Sequence, residues 1–230
     1  MPYKVSGEKH KILSIKEYED MKYLIINADD FGYSKIFNEE ILKLLKEWKI
    51  SSTTLMVNKI NNTQQAQIDK LKEFLGNRDI SIWLHLEIPT ENYDKNINEQ
   101  YKTFIKIMWT SPSHIDIHKH PDENFILSVI KFCKDKDIPY RNMGLKIEWW
   151  RTTSRKYFSG TSNDIDNIKQ WLLWLEEDGI YEILFHPGKF DKDIKSSLNK
   201  DREQDIIKIE KLTSFIKNLD IKITSFYKLK

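Results

Sequence analysis

At 230 residues, 40% of them hydrophobic and including seven Trp and eleven Phe, the chain can fill one sizeable core, and one domain is expected. Lys and Arg number 37 against 35 Asp and Glu, so the net charge is +2. With the two signs interleaved along the chain, this balance argues against nucleic acid or an anionic membrane as a partner. The single cysteine, Cys133, excludes an internal disulfide, and in the apolar run Phe125–Cys133 it reads as a packing residue in a reducing compartment.

The chain opens on a polar, charged stretch, so residues 1–21 are expected to form an N-terminal extension ahead of a domain spanning 22–230. The Met1 region lacks the apolar centre of a signal peptide, and no window has the apolar length of a membrane span. The cytoplasm is therefore the expected location. Tyr23–Ala28 reads as the first strand, running into Asn27-Ala28-Asp29-Asp30. Phe37, Ile41, Leu44, Leu45 and Trp48 then recur at helical spacing, with Ser34 placed as N-cap. Ser52–Val57 predicts a second strand, and Ala66, Leu71, Phe74 and Leu75 a weaker helix ending at Gly76. Ile80–Leu86, His114–His118 and Tyr181–Phe185 are further strands, with Ile221–Ser225 near the end. Before the fifth of these, Ile165, Ile168, Trp171, Leu172 and Leu175 repeat the helical pattern, and Gly179 stands where a C′ glycine would end it.

Alternating strands and helices imply a parallel sheet, hence α/β. No Gly-rich phosphate loop follows any strand, which counts against a doubly wound nucleotide-binding sheet. A (β/α) TIM-like barrel is expected, with seven strands as the alternative to eight. In that architecture chemistry sits at the C-terminal strand ends. Five of the six histidines fall there or on such a strand: His85, His114, His118, His120 and His186, with only His10 elsewhere.

Adjacent carboxylates such as Asp29 and Asp30 repel, and burying both is costly. A cation that binds one and leaves the other as a base resolves the conflict; a turn or N-cap role is the plain alternative. In His114-Ile115-Asp116-Ile117-His118-Lys119-His120, residues two apart share a face of the strand, so His114, Asp116, His118 and His120 line up. That row suits a metal ligand with partners that orient it, ligation and support being equally open for any one histidine. His85, alone in an apolar run, is either a core histidine or a ligand. His186, opening His186-Pro187-Gly188, could ligate, donate a proton or cap its strand. Trp149 and Trp150 could offer a face to a sugar ring or pack in the core, and Arg141 could orient a carboxylate or form a surface ion pair.

Taken in order, Leu24–Ser34 with its NADDFG string, Ser51–Asn58 with STT and VN, Leu84-His85-Leu86, the His114–His120 run and His186-Pro187-Gly188 resemble the YdjC/ChbG family of carbohydrate deacetylases. The resemblance runs from about residue 22 to the C-terminus. It implies a barrel that removes the acetyl group from N-acetylated amino sugars. Asp30, His85 and His118 match the family's metal ligands, Asp29 its base and His186 its proposed acid. It also implies a divalent ion, Mg²⁺ or Zn²⁺, and a small carbohydrate as partner, with a homodimer left open. Two positions depart from the pattern: Ile117 stands where serine is usual, and Asp122 where a further histidine is usual. The stretch from Ile88 to Trp109 is also shorter than is common. A metal-dependent phosphoesterase or amidohydrolase is the second reading, although in those classes the histidine-rich strand typically comes first. A non-catalytic sugar-binding descendant is the third, disfavoured because all five proposed positions hold competent residues.

Overall fold

The structure is a computed structural model that describes residues 21–76, 79–119, 121–141, 154, 156–175 and 178–229. Seven strands are β1 (Lys22–Phe31), β2 (Ser52–Leu55), β3 (Ser81–Leu86), β4 (Ile115–Ile117), β5 (Lys156–Ser159), β6 (Gly179–Phe185) and β7 (Ile221–Ile223). The helices between them are α1 (Lys35–Lys46), α2 (Gln65–Lys72), α3 (Tyr93–Met108), α4 (Glu123–Lys136), α5 (Ile165–Leu173) and α6 (Arg202–Ile216). Every strand pairing is parallel, in the order β4-β3-β2-β1-β6-β5. A strand has two edges. Because β6 covers Lys22–Ala28 along one edge of β1, the other is shared: β7 takes Lys22–Leu24 and β2 takes the end from Asn27 onward. The architecture is an α/β half-barrel of seven strands, and among the described residues no pairing joins β4 to β5. Past β4 the edge is extended by a single bridge from Ile115 to Tyr140, which brings Arg141 into the sheet.

Period-two alternation sorts the two sides of this sheet. On β1, Leu24, Ile26 and Ala28 join the large apolar cluster under the helices, whereas Ile25 joins a small inner cluster with Trp83 and Phe226. That inner cluster is the floor of the concave side, and the polar strand ends stand above it. The helices cover the outer side with their apolar stripes. On α1 these are Phe37, Ile41, Leu44 and Leu45, and Ser34 caps the helix by accepting from the Ile36 N–H.

Three expectations are corrected. The helix α5 ends at Leu173 with Trp174 as its cap, and Gly179, at φ +141°, instead opens β6 opposite Lys22. Strand β5 was not anticipated, because Lys156-Tyr157-Phe158-Ser159 is only four residues on a half-exposed edge. The strand carrying His114 and His118 is shorter than expected, Ile115–Ile117. Residues 1–20, His120, Trp149 and Trp150 lie outside the described residues, and no described helix is long and apolar enough to cross a membrane.

Where β1 meets α1 the chain makes a tight turn at Gly32. Its φ of +100° belongs to the region that favours glycine, and a Cβ there would stand 2.8 Å from Ile60 Cδ1 and 2.9 Å from the Met56 carbonyl oxygen. The turn is pinned on both sides, Gly32 N–H donating to Asn38 Oδ1 at 2.6 Å and Gln64 Nε2 donating to the Gly32 carbonyl at 2.7 Å. A backbone oxygen cannot swing aside as a side chain can. Gly32→Ala is therefore expected to lower stability by about 1–3 kcal/mol, measured by urea unfolding; an unchanged midpoint would contradict this account.

Candidate active site

Consecutive strand residues normally face opposite sides, yet Asp29 and Asp30 both line one cleft. A bulge makes this possible. Ala28 pairs with Thr53 and Phe31 with Leu55, so Asp29 and Asp30 together oppose the single residue Thr54. Asp30 takes the left-handed φ of +74°. The STT run supplies the polar groups this irregularity needs: Thr54 Oγ1 accepts the Asp30 N–H at 2.9 Å and Thr53 Oγ1 donates to the Ala28 carbonyl at 2.8 Å. A strained backbone at Asp30 is thus stabilised by two hydroxyls from the neighbouring strand.

Around Asp30 the ends of β3 and β4 deliver two imidazoles. Asp30 Oδ1 lies 3.5 Å from His85 Nε2 and 3.4 Å from His118 Nδ1, and the two nitrogens are 3.1 Å apart. Donors at such spacing suit one divalent ion about 2.0–2.2 Å from each. Among the described residues Asp30 Oδ1 has no hydrogen-bond partner and is buried, as expected of an atom aimed at a cation. The other oxygen, Oδ2, accepts from Arg202 Nη2 at 2.6 Å, which fixes the carboxylate's orientation. His85 turns its remaining nitrogen to Asp116, Nδ1 to Oδ2 at 2.9 Å, the carboxylate–histidine arrangement that orients metal-binding imidazoles.

Beneath this triangle Arg141 is clamped between three strands. Its Nη1 and Nη2 grip both oxygens of Asp29 at 3.0 and 3.1 Å, Nη1 reaches Asp116 at 2.6 Å, and Nε donates to Glu182 at 2.8 Å. Its guanidinium lies 4.0 Å above the Trp83 ring, whose Nε1 donates to Asn27 Oδ1 at 2.8 Å; Asn27 Nδ2 in turn donates to Asp29 Oδ1 at 2.7 Å. Burial alone would raise the Asp29 carboxyl, but Arg141, His85 and His186 outweigh it and hold it below the usual value. Asp30 behaves likewise: burial raises it, and His118, His85, His186 and Arg202 hold it well below. On His85 burial acts downward, yet Asp29, Asp116 and Asp30 push the imidazole up to about 10. Without a cation, therefore, His85 keeps a proton that a metal would have to displace.

His186 stands across from Asp29, Nε2 to Oδ2 at 3.9 Å. Burial is the largest influence on its ring and pulls it below the ordinary imidazole value, against the raising effects of Asp30 and Asp29. The cleft these groups share has a volume of about 650 Å³, within the range typical of small-ligand sites.

A family model described as YdjC-like protein matches residues 23–94. A carbohydrate deacetylase of Clostridium beijerinckii is 27% identical over 242 residues, covering 88% of this chain and 98% of the relative. A chitooligosaccharide deacetylase of Proteus mirabilis is 27% identical over 213 residues, covering 76% of this chain and 84% of the relative. Over residues 23–94 the chain is similar to YdjC-like proteins. Its fold agrees with the solved structure of an Enterococcus faecalis V583 protein proposed to cleave cellobiose phosphate, with a TM-score of 0.75 at 19% identity over 91% of this chain and 99% of that one. Asp29, Asp30 and His85 fall inside the YdjC-like segment, while His118 and His186 lie beyond it and are brought in by the fold.

Of the remaining residues singled out in the sequence, Asp116 and Arg141 reach the site, Arg141 as a buried clamp on a carboxylate and not a surface ion pair. His114 does not line the cleft. It packs in the floor, its ring centroid 3.6 Å from Trp83 and 3.8 Å from Phe226, with Ser113 Oγ 3.0 Å from Nδ1. Of the two departures from the YdjC pattern, Ile117 lines the cleft, whereas Asp122 caps α4 through the Phe125 N–H and accepts from Tyr93 Oη at 2.6 Å. Sequence reasoning missed Glu182, Arg202, Thr161 and Asp205. Glu182 had a signal, since it is the polar residue inside the apolar strand Gly179–Phe185; the others lie in a loop and a helix whose spacing does not point to the site.

Glu182 carries a pH dependence that can be measured. Burial, the largest cause, together with Asp116 and Asp29, raises it from 4.5 to about 7 despite the lowering effect of Arg141. Between those values the folded chain binds a proton that the unfolded chain has released, so this group's contribution to stability declines as pH rises from 4.5 to about 7. Glu182→Gln removes that contribution. In chelator, the variant's stability relative to the parent is expected to improve between about pH 5 and about pH 8; a gap that is constant or widens in urea titrations would refute it.

Proposed function

We propose that this chain hydrolyses the acetamide of an N-acetylated amino sugar with a divalent ion held by Asp30, His85 and His118. The observation that carries the reading is the pairing of a three-donor triangle with two further groups, Asp29 and His186, facing one another at 3.9 Å over the same cleft. Relatives named carbohydrate deacetylase and chitooligosaccharide deacetylase support the sugar class and the acyl group. Two imidazoles and one carboxylate with room for further ligands suit Zn²⁺ or a similar nitrogen-binding ion better than Mg²⁺.

When bound, the ion would polarise the amide carbonyl and make water more acidic. Asp29 takes the proton from the attacking water. Its two contacts to Arg141 keep it ionised and in place for that task. Its neighbour Asp30 cannot compete for the proton, because both of its oxygens are committed, one to Arg202 and one to the triangle. On the far side, the protonated His186 ring gives its Nε2 hydrogen to the sugar nitrogen as the C–N bond breaks. The proton held by Asp29 then replaces the one that His186 has lost, the acid product's proton passes to the amine, and acetate and the protonated amine leave.

Acetate release from a panel of N-acetylated mono- and oligosaccharides, with and without chelator, tests the reading. Activity is expected in the metal-loaded protein and is expected to disappear with chelator. Phosphate release from sugar phosphates in place of acetate would assign the chain to the phosphoesterases. Asp29→Asn is expected to retain metal and lose turnover by at least about a hundredfold, and His118→Ala to lose both, as measured by metal analysis and kinetics on the purified variants. A fully active Asp29→Asn protein would remove Asp29 as the base.

A further inference from the structure

Behind His186 lies a second buried polar cluster that the proposed reaction does not use. Thr161 Oγ1 is 3.0 Å from His186 Nδ1 and donates its hydrogen to Asp205 Oδ2. The same carboxylate oxygen accepts the His186 backbone N–H at 2.9 Å, and Thr161 Oγ1 is 3.2 Å from that N–H. Asp205 Oδ1 is held by Lys208 Nζ at 3.1 Å, and Lys208 also donates to the carbonyls of Gly160 and Thr161 at 3.1 and 3.0 Å. Asp205 is fully buried, so Lys208 supplies the opposite charge it requires and anchors the 160–161 loop to α6.

The proton count in this cluster is decisive. A hydroxyl has one hydrogen. Because an ionised carboxylate only accepts, the Thr161 hydrogen is committed to Asp205, and toward Nδ1 the hydroxyl offers only lone pairs. The hydrogen between them must therefore belong to Nδ1. We propose that Thr161 and Asp205 are positioning residues that fix the tautomer of His186, keeping a hydrogen on Nδ1 so that Nε2, the nitrogen facing Asp29 and the cleft, is the one that gains and gives the transferable proton. The chemical step this serves is the protonation of the leaving sugar nitrogen, so the inference rests on the reading of His186 as the acid. Asp205 acts through Thr161 and touches neither substrate nor ion. Were the hydrogen on Nε2 in the neutral ring, that nitrogen would have no lone pair toward Asp29, and the proton taken from water could not return to it.

The test is the tautomer itself, read by long-range ¹H–¹⁵N correlation on histidine-labelled protein at about pH 8, where the ring is neutral, with a His186→Gln spectrum for assignment. The parent is expected to show His186 with hydrogen on Nδ1. Finding it on Nε2 would overturn the proposal whatever the variants do. Thr161→Val, which keeps the shape but removes the acceptor, is expected to shift the ring toward the Nε2–H form and to lower kcat by about 10–100-fold with KM little changed. Thr161→Ser is expected to restore both. A Thr161→Val protein with the parental tautomer and kcat would also overturn it, and a loss confined to KM would assign Thr161 a purely structural role. A parent that carries the Nδ1 hydrogen but releases acetate from no N-acetylated sugar would support the positioning while removing the deacetylase reading.

Discussion

Among the described residues four buried carboxylates, Asp29, Asp30, Asp116 and Glu182, crowd the C-terminal end of the sheet against two buried guanidinium groups, Arg141 and Arg202. The imbalance is two charges, and burying it uncompensated would cost several kcal/mol for each unpaired ion. A divalent cation would supply the missing charge. In its absence the same groups find it in protons, which is why His85 is pushed up to about 10 and Glu182 to about 7. The surplus shows in the hydrogen bonding as well, since among the described residues Asp30 Oδ1, Asp116 Oδ1 and Glu182 Oε2 are buried acceptors without a donor. The fit of this site to a metal therefore rests on more than a triangle of donors: the whole layer beneath it is built short of positive charge.

The proposed division of labour between two adjacent aspartates depends on backbone geometry. In a regular strand one of them would point into the helix layer, where a carboxylate would have no partner. The bulge turns both toward the cleft, and their surroundings then separate their roles. Asp29 is held on two oxygens by a single guanidinium and keeps its outer lone pairs toward His186. Asp30 spends one oxygen on Arg202 and presents the other to the imidazoles. Gly32, Asn38, Gln64 and Thr54 hold the irregular segment, so two of the residues that make NADDFG and STT recognisable, Gly32 and Thr54, are backbone supports.

Much of this was legible in the sequence, for reasons of periodicity. Alternating strands and helices, α1 with its Ser34 cap, and polar residues closing apolar strands all follow from patterns local to a few turns or a few residues. What periodicity gives for a strand is the face, however, and not the height. His114, Asp116 and His118 do share the inner face, but each step of two residues climbs about 6.6 Å. His114 thus belongs to the floor with Trp83 and Phe226, Asp116 to the charged layer, and His118 to the mouth. Arg202 and Asp205 were invisible for a different reason. They sit at the start of α6, whose buried positions mix Arg202, Asp205 and Thr213 with Ile209, Leu212 and Ile216, so no apolar stripe marks which face turns toward the site. Only the fold, bringing Arg202 to a carboxylate 172 residues earlier in the chain, gives it a meaning.

Asp29 and His186, the two groups proposed to handle protons, are also tied to different parts of that fold. Asp29 is held from the β4 side by Arg141, through a network that includes Asp116, Glu182 and Asn27. His186 is held from the α6 side by Thr161 and Asp205, with Lys208 behind them. Among the described residues no side chain bonds to both. Each network holds its own residue in place, while across the cleft Asp29 and His186 each favour the charged form of the other. The two meet only across the 3.9 Å gap between Nε2 and Oδ2. That gap opens on the cleft beside Asp30, His85 and His118, which is where a scissile amide would have to lie for both to act on it.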